Sequence, residues 1–248
     1  MSSLSGKSAI VTGGCSGIGY EVVKAFLERG IKNVAILDIS DTKNVSTDLQ
    51  TKYGDRQVLF IKTDVSKKEQ VKSAFDEIVR SFERIDIVVG NAGIICESDY
   101  ERTINVNLLG ILHSTYAAID VMSKEKGGSG GLIVNLSSVS GLNTTTWMPS
   151  YSAAKHGIVG LNRCFGDQHY YDKFGIKFIT ICPGATQTSI LDDYDKKITF
   201  GDLESFNFQF QTAATVARFI LEAIFSDKNG SVWIINNSAM TEVTLHQY

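Results

Sequence analysis

The sequence predicts an α/β fold: a single-domain, doubly wound parallel sheet of about seven strands with helices on both faces. Three observations carry this expectation. Short apolar runs rich in β-branched residues alternate with longer amphipathic stretches along the chain. The runs are nearly continuous rather than alternating, the pattern of strands buried on both faces of a parallel sheet. The length of 248 residues, 43% of them apolar, suits one large core better than two.

The expected strands are 8–12 (SAIVT), 33–38 (NVAILD), 58–64 (VLFIKTD), 85–90 (IDIVVG), 132–137 (LIVNLS), 177–182 (KFITIC) and 232–236 (VWIIN). Helical patterns lie between them. The stretch 19–30 ends on Gly30, a candidate C-cap. The stretch 67–83 follows Ser66, a candidate N-cap with Glu69 as its capping-box partner. The stretch 212–225 starts on Thr212, another candidate cap. The glycine-rich patch 124–131 reads as a loop feeding the fifth strand. The segment 186–211 breaks the rhythm and carries Tyr194, Phe200, Phe206, Phe208 and Phe210 among polar residues. A long irregular insertion in a compact domain is often functional, and this one reads as a lid over a site.

Bulk properties exclude several classes. The net charge is -3 and no stripe of Lys and Arg forms, so nucleic acid is not an expected partner. Cys15, Cys96, Cys164 and Cys182 are scattered, as are the four histidines, which fits a reducing compartment and no metal site. No run approaches the ~18 apolar residues of a membrane span, and the N-terminus lacks a signal-peptide core. A cytoplasmic protein without membrane contact is the expectation.

The first strand runs into VTGGCSGIG (11–19), with glycines at Gly13, Gly17 and Gly19. A glycine turn between a buried strand and a helix lets backbone approach a pyrophosphate at the helix N-terminus. Asp38, at the end of the second strand, stands where an acid can bond ribose hydroxyls and repel a 2′-phosphate. No basic residue at Cys15 or Ser16 offsets it, so NAD is favoured over NADP as cofactor. Asp41 is the rival acid.

A second cluster lies in PSYSAAKHG (149–157). Tyr151 and Lys155, four residues apart, share a helix face. A neighbouring ammonium favours a phenolate and can make tyrosine a general base. Tyr20 and Lys24 have the same spacing, but no strand-end serine precedes them. Tyr151 has Ser138 thirteen residues upstream at the end of the fifth strand; Ser137 is the rival there.

These pieces together resemble the short-chain dehydrogenase/reductase family over nearly the whole chain. TGGCSGIG (12–19), Asp64 with Val65, GNAG (90–93), NVNLLG (105–110), NLSSVSG (135–141), YSAAK (151–155) and PGATQT (183–188) match its motifs in order. The resemblance implies a Rossmann-type fold, the catalytic set Asn107, Ser138, Tyr151 and Lys155, and cofactor contacts from Gly13, Cys15, Ser16, Gly17, Ile18, Gly19, Asp38, Ile39, Asp64, Val65, Asn91, Ala92, Gly93, Tyr151, Lys155, Pro183, Gly184, Thr186 and Thr188. It also implies that Lys155 holds the nicotinamide ribose, that Asn107 orients a relay water, and that helices near 99–123 and 150–172 form a homodimer or homotetramer.

Two subgroups look closest: NAD-dependent 15-hydroxyprostaglandin dehydrogenases, from 122–160, and insect-type alcohol dehydrogenases, from the overall length, GNAG and Thr186. The expected reaction is oxidation of an apolar or amphipathic secondary alcohol to the ketone with NAD. Ser138, Trp147, Met148 and Tyr151 are the expected substrate contacts, with Leu142 and Ile190 as further wall residues. Met148 stands where the prostaglandin enzymes carry glutamine, which removes a partner for a substrate hydroxyl. Gly90 replaces the first asparagine of the family's N-N-A-G, and the tail 237–248 is short. A carbonyl, hydroxysteroid or prostaglandin-type dehydrogenase, and a non-catalytic NAD-binding protein on this fold, are the alternatives.

Overall fold

The computed structural model describes residues 4–41, 44–54, 56–192, 197–198 and 209–244. All seven expected strands are present. Six are β1 (Ser8–Thr12), β2 (Asn33–Asp38), β3 (Gln57–Lys62), β4 (Ile87–Gly90), β5 (Gly131–Leu136) and β6 (Ile176–Pro183). Two short strands, β7 (Thr186–Gln187) and β8 (Gln211–Thr212), pair in parallel outside the main sheet. The seventh expected strand is therefore β9 (Val232–Asn236). An eighth main-sheet strand, β10 (Ala239–Glu242), was not foreseen. It folds back antiparallel onto β9 across Asn237 and Ser238, both at left-handed φ of 50° and 58°. Four residues of mixed polarity carry no apolar run, and the turn lacks the glycine that usually marks a hairpin.

The helices are α1 (Gly17–Glu28), α2 (Val45–Tyr53), α3 (Lys68–Phe82), α4 (Tyr100–Ile104), α5 (Gly110–Met122), α6 (Pro149–Phe165), α7 (Gln168–Phe174) and α8 (Ala213–Ser226). A π-helical turn, Asn105–Leu109, joins α4 to α5. The continuous apolar strands follow from burial on both faces. Ala9, Val11, Val34, Ile36, Ile87 and Val89 pack in one core with α1 and α8. Their neighbours Ile10, Ala35, Leu37 and Val88 pack in a second core with α3 and α5. Each strand is thus split by its period of two between two apolar layers.

The sheet order is β10-β9-β6-β5-β4-β1-β2-β3. The chain winds outward in opposite directions on either side of the β1/β4 pair, and ligand clefts form at such a reversal, beyond the carboxyl ends of the strands.

The expected caps are borne out in part. Gly30, at φ 80°, donates to the Leu27 carbonyl as α1 ends. Thr212 Oγ1 accepts the Thr215 amide and opens α8. Ser66 does not cap α3. Its amide and hydroxyl both donate to Asp64 Oδ1, at 3.0 and 2.7 Å, so its side chain serves the preceding turn. Of the lid segment, 193–196 and 199–208 lie outside the described residues, and with them Tyr194, Phe200, Phe206 and Phe208. The two ends of the segment meet in the β7–β8 pair. Buried Gln211 holds them to the main sheet, its Nε2 donating to the Ile235 carbonyl at 2.7 Å.

Candidate active site

A cavity of about 1200 Å³ opens at the carboxyl ends of the strands. At one end lies the glycine turn. Gly13 adopts φ 66°, and a Cβ on Gly19 would lie 2.1 Å from the Gly13 carbonyl oxygen, so the turn closes only around a bare backbone. Thr12 and Asn91 lock it to the end of β4. The Asn91 and Ala92 amides donate to Thr12 Oγ1, and Asn91 Nδ2 donates to the Thr12 and Gly13 carbonyls. Thr12 was not among the expected site residues, although it opens the glycine motif.

Asp38 Oδ2 accepts the Cys15 amide at 3.0 Å, which fixes the turn against the end of β2. Asp41 instead caps α2, accepting the Val45 amide, and takes the Cys15 thiol as a weak donor. Burial, followed by Asp38 and Asp41, pushes the Cys15 thiol up to about 12 and keeps it protonated.

Gly13, Ser16, Gly17, Ile18, Asp38, Ile39, Asp64, Val65, Asn91, Ala92, Gly93, Pro183, Gly184, Thr186 and Thr188 all line the cavity, as expected. Cys15 and Gly19 are not in its wall and shape the turn from behind. This set fits a dinucleotide: a cradle that admits no Cβ, with an acid beyond it at the end of β2.

At the other end lie the reacting groups. Ser138 lies two residues beyond the end of β5, while Tyr151 and Lys155 sit on the first turns of α6, all three buried. Lys155 Nζ lies 5.4 Å from the Tyr151 ring centroid and donates to the Leu136 carbonyl at 3.0 Å. Ser137 Oγ donates to the Lys155 carbonyl at 2.8 Å, so the rival serine anchors the lysine's backbone. Lys24 pairs with Glu21, and the look-alike Tyr20–Lys24 pair is an ordinary helix surface.

Burial pushes the Tyr151 phenol up to about 12, against a lowering hydrogen bond from Ser138. Burial also brings the Lys155 ammonium down to about 8. The expectation is that Lys155 and the positive ring of the oxidised cofactor together favour the phenolate. In the protein alone, desolvation is the largest effect at both Tyr151 and Lys155, because the two groups are buried side by side.

Asn107 is fully buried behind the cavity wall. Its Oδ1 accepts the Ile94 amide at 2.7 Å and its Nδ2 donates to the Ile94 carbonyl at 2.8 Å. The side chain expected to orient a relay water is thus engaged at both ends by one residue of the wall.

Beside Tyr151 the wall carries an apolar cluster. Trp147, Met148 and Tyr151 pack with Ile95, and Ile190, Leu191 and Ile198 lie against them. Leu142, expected here, packs instead with Val159, Cys182 and Val232. Phe210, the one described aromatic of the lid segment, lines the cavity and is half exposed.

Gly90 has a physical cause. A Cβ there would lie 2.4 Å from Asn135 Oδ1 and 2.8 Å from Ile111 Cδ1, so the space that a larger residue would need is filled. Among the described residues, no helix is long and apolar enough to cross a membrane, and no group of three His, Cys, Asp or Glu side chains could hold a metal ion.

A family profile described as short chain dehydrogenase matches residues 7–199. The chain belongs to the short-chain dehydrogenase family. It is therefore an oxidoreductase of a family whose members act on small alcohols and ketones with NAD or NADP. It is 32% identical over 246 residues to alcohol dehydrogenase 2 of Ceratitis cosyra, covering 97% of this chain and 95% of that protein. It is 38% identical over 200 residues to the NAD(+) 15-hydroxyprostaglandin dehydrogenase of Macaca fascicularis, covering 80% and 75%. A short-chain type dehydrogenase/reductase from Mycobacterium marinum superposes with a TM-score of 0.81 at 25% identity, covering 94% of this chain and 95% of that one.

Proposed function

We propose that this chain is an NAD-dependent dehydrogenase that oxidises a secondary alcohol bearing apolar groups to the ketone. The observation that carries the reading is a single cavity that holds Ser138, Tyr151 and Lys155 at one end and Asp38 beyond a glycine cradle at the other. NAD would lie along Gly13, Gly17, Asp38, Asn91 and Gly93, and when bound it supplies the hydride acceptor and the positive charge of its oxidised ring. The alcohol carbon faces that end of the cavity, with its apolar groups against Ile95, Trp147 and Met148. With the Lys155 ammonium and the charge of the oxidised ring offsetting burial, Tyr151 would act as the phenolate and take the alcohol proton as hydride leaves the carbinol carbon. Ser138 bonds the same oxygen and holds the developing carbonyl in line. Lys155 keeps a cation beneath the phenol, and its rigid placement by Ser137 and Leu136 makes that charge available without reorganisation.

Met148 supports an apolar substituent near the reacting carbon rather than a hydroxyl. Asp38 supports NAD over NADP, since a 2′-phosphate would meet its charge. The lid reading of 186–211 is supported by the clamp at Gln211, which closes the segment's two ends beside the cavity. We place subunit pairing on α5 and α6, where Tyr116 is 55% exposed and a Cβ on Gly160 would meet nothing within 4 Å.

The test is a cofactor-reduction assay with NAD and then NADP over secondary alcohols of rising chain length. A hydroxysteroid and a prostaglandin complete the panel, and Tyr151→Phe runs beside the parent. NAD-driven turnover that vanishes in Tyr151→Phe while NAD still binds is the expected result. Equal turnover by Tyr151→Phe, or a preference for NADP, would overturn the assignment.

A further inference from the structure

Glu97 stands outside every motif that led to the site. It lies on the short turn Glu97–Asp99 after β4, its residue is 6% exposed, and its two carboxylate oxygens accept the amides of Ser150 and Tyr151, at 3.0 and 2.9 Å. The helix that carries the tyrosine and the lysine thus receives its N-terminal cap from more than fifty residues upstream. The local cap position is held by Met148, whose side chain makes no capping bond and packs into the apolar wall with Ile95, Trp147 and Tyr151. Pro149 follows at the first helical position and has no amide to offer.

A carboxylate buried this far is costly unless charge-assisted bonds and a helix N-terminus compensate it. Both compensations are present here. A serine or aspartate at position 148 could cap the helix locally. With Met148 assigned to the wall, the cap must come from elsewhere.

Glu97 ends a four-residue strap whose other end is held by Asn107. Ile94 is bound at both its amide and its carbonyl by the Asn107 side chain, and the Cys96 carbonyl accepts the Thr103 hydroxyl at 2.6 Å. Ile94, Ile95 and Cys96 line the cavity between these anchors. Asn107 and Tyr151 are thereby joined through one short piece of backbone.

We propose that Glu97 is a positioning residue for the dehydrogenase reaction, setting the place of Tyr151 by holding its own amide and that of Ser150 against the 94–97 strap. The role rests on the dehydrogenase reading above. It predicts a loss in the chemical step and not in cofactor binding, since the amides that Glu97 holds belong to the helix of Tyr151 and not to the glycine turn or Asp38.

The experiment uses the full chain with Glu97→Ala and Glu97→Gln, and an alcohol that the parent oxidises. Glu97→Ala is expected to lower kcat at least tenfold with KM within about threefold and the NAD Kd within about twofold. Glu97→Gln keeps one acceptor but turns a donor toward the second amide, so it should fall between Ala and the parent. If Glu97→Ala does not fold, Glu97→Gln carries the test with a kcat loss of roughly threefold to tenfold. A kcat within twofold of the parent in every variant that folds, with only thermal stability reduced, would overturn the role.

If the parent oxidises no alcohol, the functional reading fails by itself. Glu97 is then judged by ultraviolet titration of the Tyr151 phenol, taken as parent minus Tyr151→Phe. A transition moved toward the ordinary tyrosine range in Glu97→Ala supports the positioning role, and an unmoved transition overturns it.

Discussion

Lys155 offers a direct measurement of how dry the reacting end of the cavity is. Its ammonium is held at about 8 against an ordinary 10.5, with burial as the largest cause. At about 1.4 kcal/mol per pH unit, keeping this group charged in the fold at pH 7 costs ~3 kcal/mol. Between about pH 8 and 10.5 the unfolded chain binds more protons at this site than the folded one. Stability at this site must therefore rise with pH across that window, the reverse of a lysine that gains a partner on folding. From pH 7 to 9.5 the recovered share is about 2 kcal/mol.

Tyr151 acts in the opposite sense. Its phenol at about 12 rather than 10 removes stability only above pH 10, outside the measured range. The assay is urea unfolding followed by circular dichroism, without added dinucleotide, for the parent and for Lys155→Met at both pH values. Methionine fills a similar volume and cannot titrate, so the other groups cancel in the comparison. The parent should gain about 2 kcal/mol on the variant as pH rises. Parallel pH dependence in the two proteins would show that water reaches the ammonium, and that the dry-pocket account of Tyr151 is wrong with it.

Two further outcomes follow from the cofactor end. In Gly19→Ala the new methyl group would meet the Gly13 carbonyl, so NAD affinity, read by fluorescence titration, should fall at least thirtyfold, about 2 kcal/mol. Unchanged affinity would mean that the turn is not the cradle. Asp38→Asn keeps an acceptor for the Cys15 amide but removes the charge, so the ratio of NADP to NAD affinity should rise at least tenfold, about 1.4 kcal/mol. A fixed ratio would show that Asp38 serves only the turn.

What the sequence made legible was local. The seven apolar runs announced their strands because both faces of the sheet are buried, and the glycine turn and Tyr151–Lys155 announced themselves through short spacings. What it hid was non-local. Glu97 and its two amides are separated by 53 and 54 positions, and no spacing rule connects a turn acid to a distant helix end. Gln211 reads as a polar residue before a helix until the fold sets it against Ile235. Ser66 looked like a cap because its spacing to Glu69 was right, yet Asp64, two residues away, had the shorter reach. The relative strength of burial and charge at Tyr151 was equally invisible, since sequence shows which groups are neighbours and not how much water stays with them.

The hairpin that ends the described chain has a consequence for assembly. Without β10, the outer edge of β9 would be a row of open amides and carbonyls, to which another sheet could add. With it, those groups are consumed within the chain by Ala239–Glu242. The new margin is only four residues long and ends on Glu242, which is paired with Lys228. So short and charged a margin is a poor template for a further strand. A continuous sheet running from one molecule into the next at this margin would first have to peel the hairpin away.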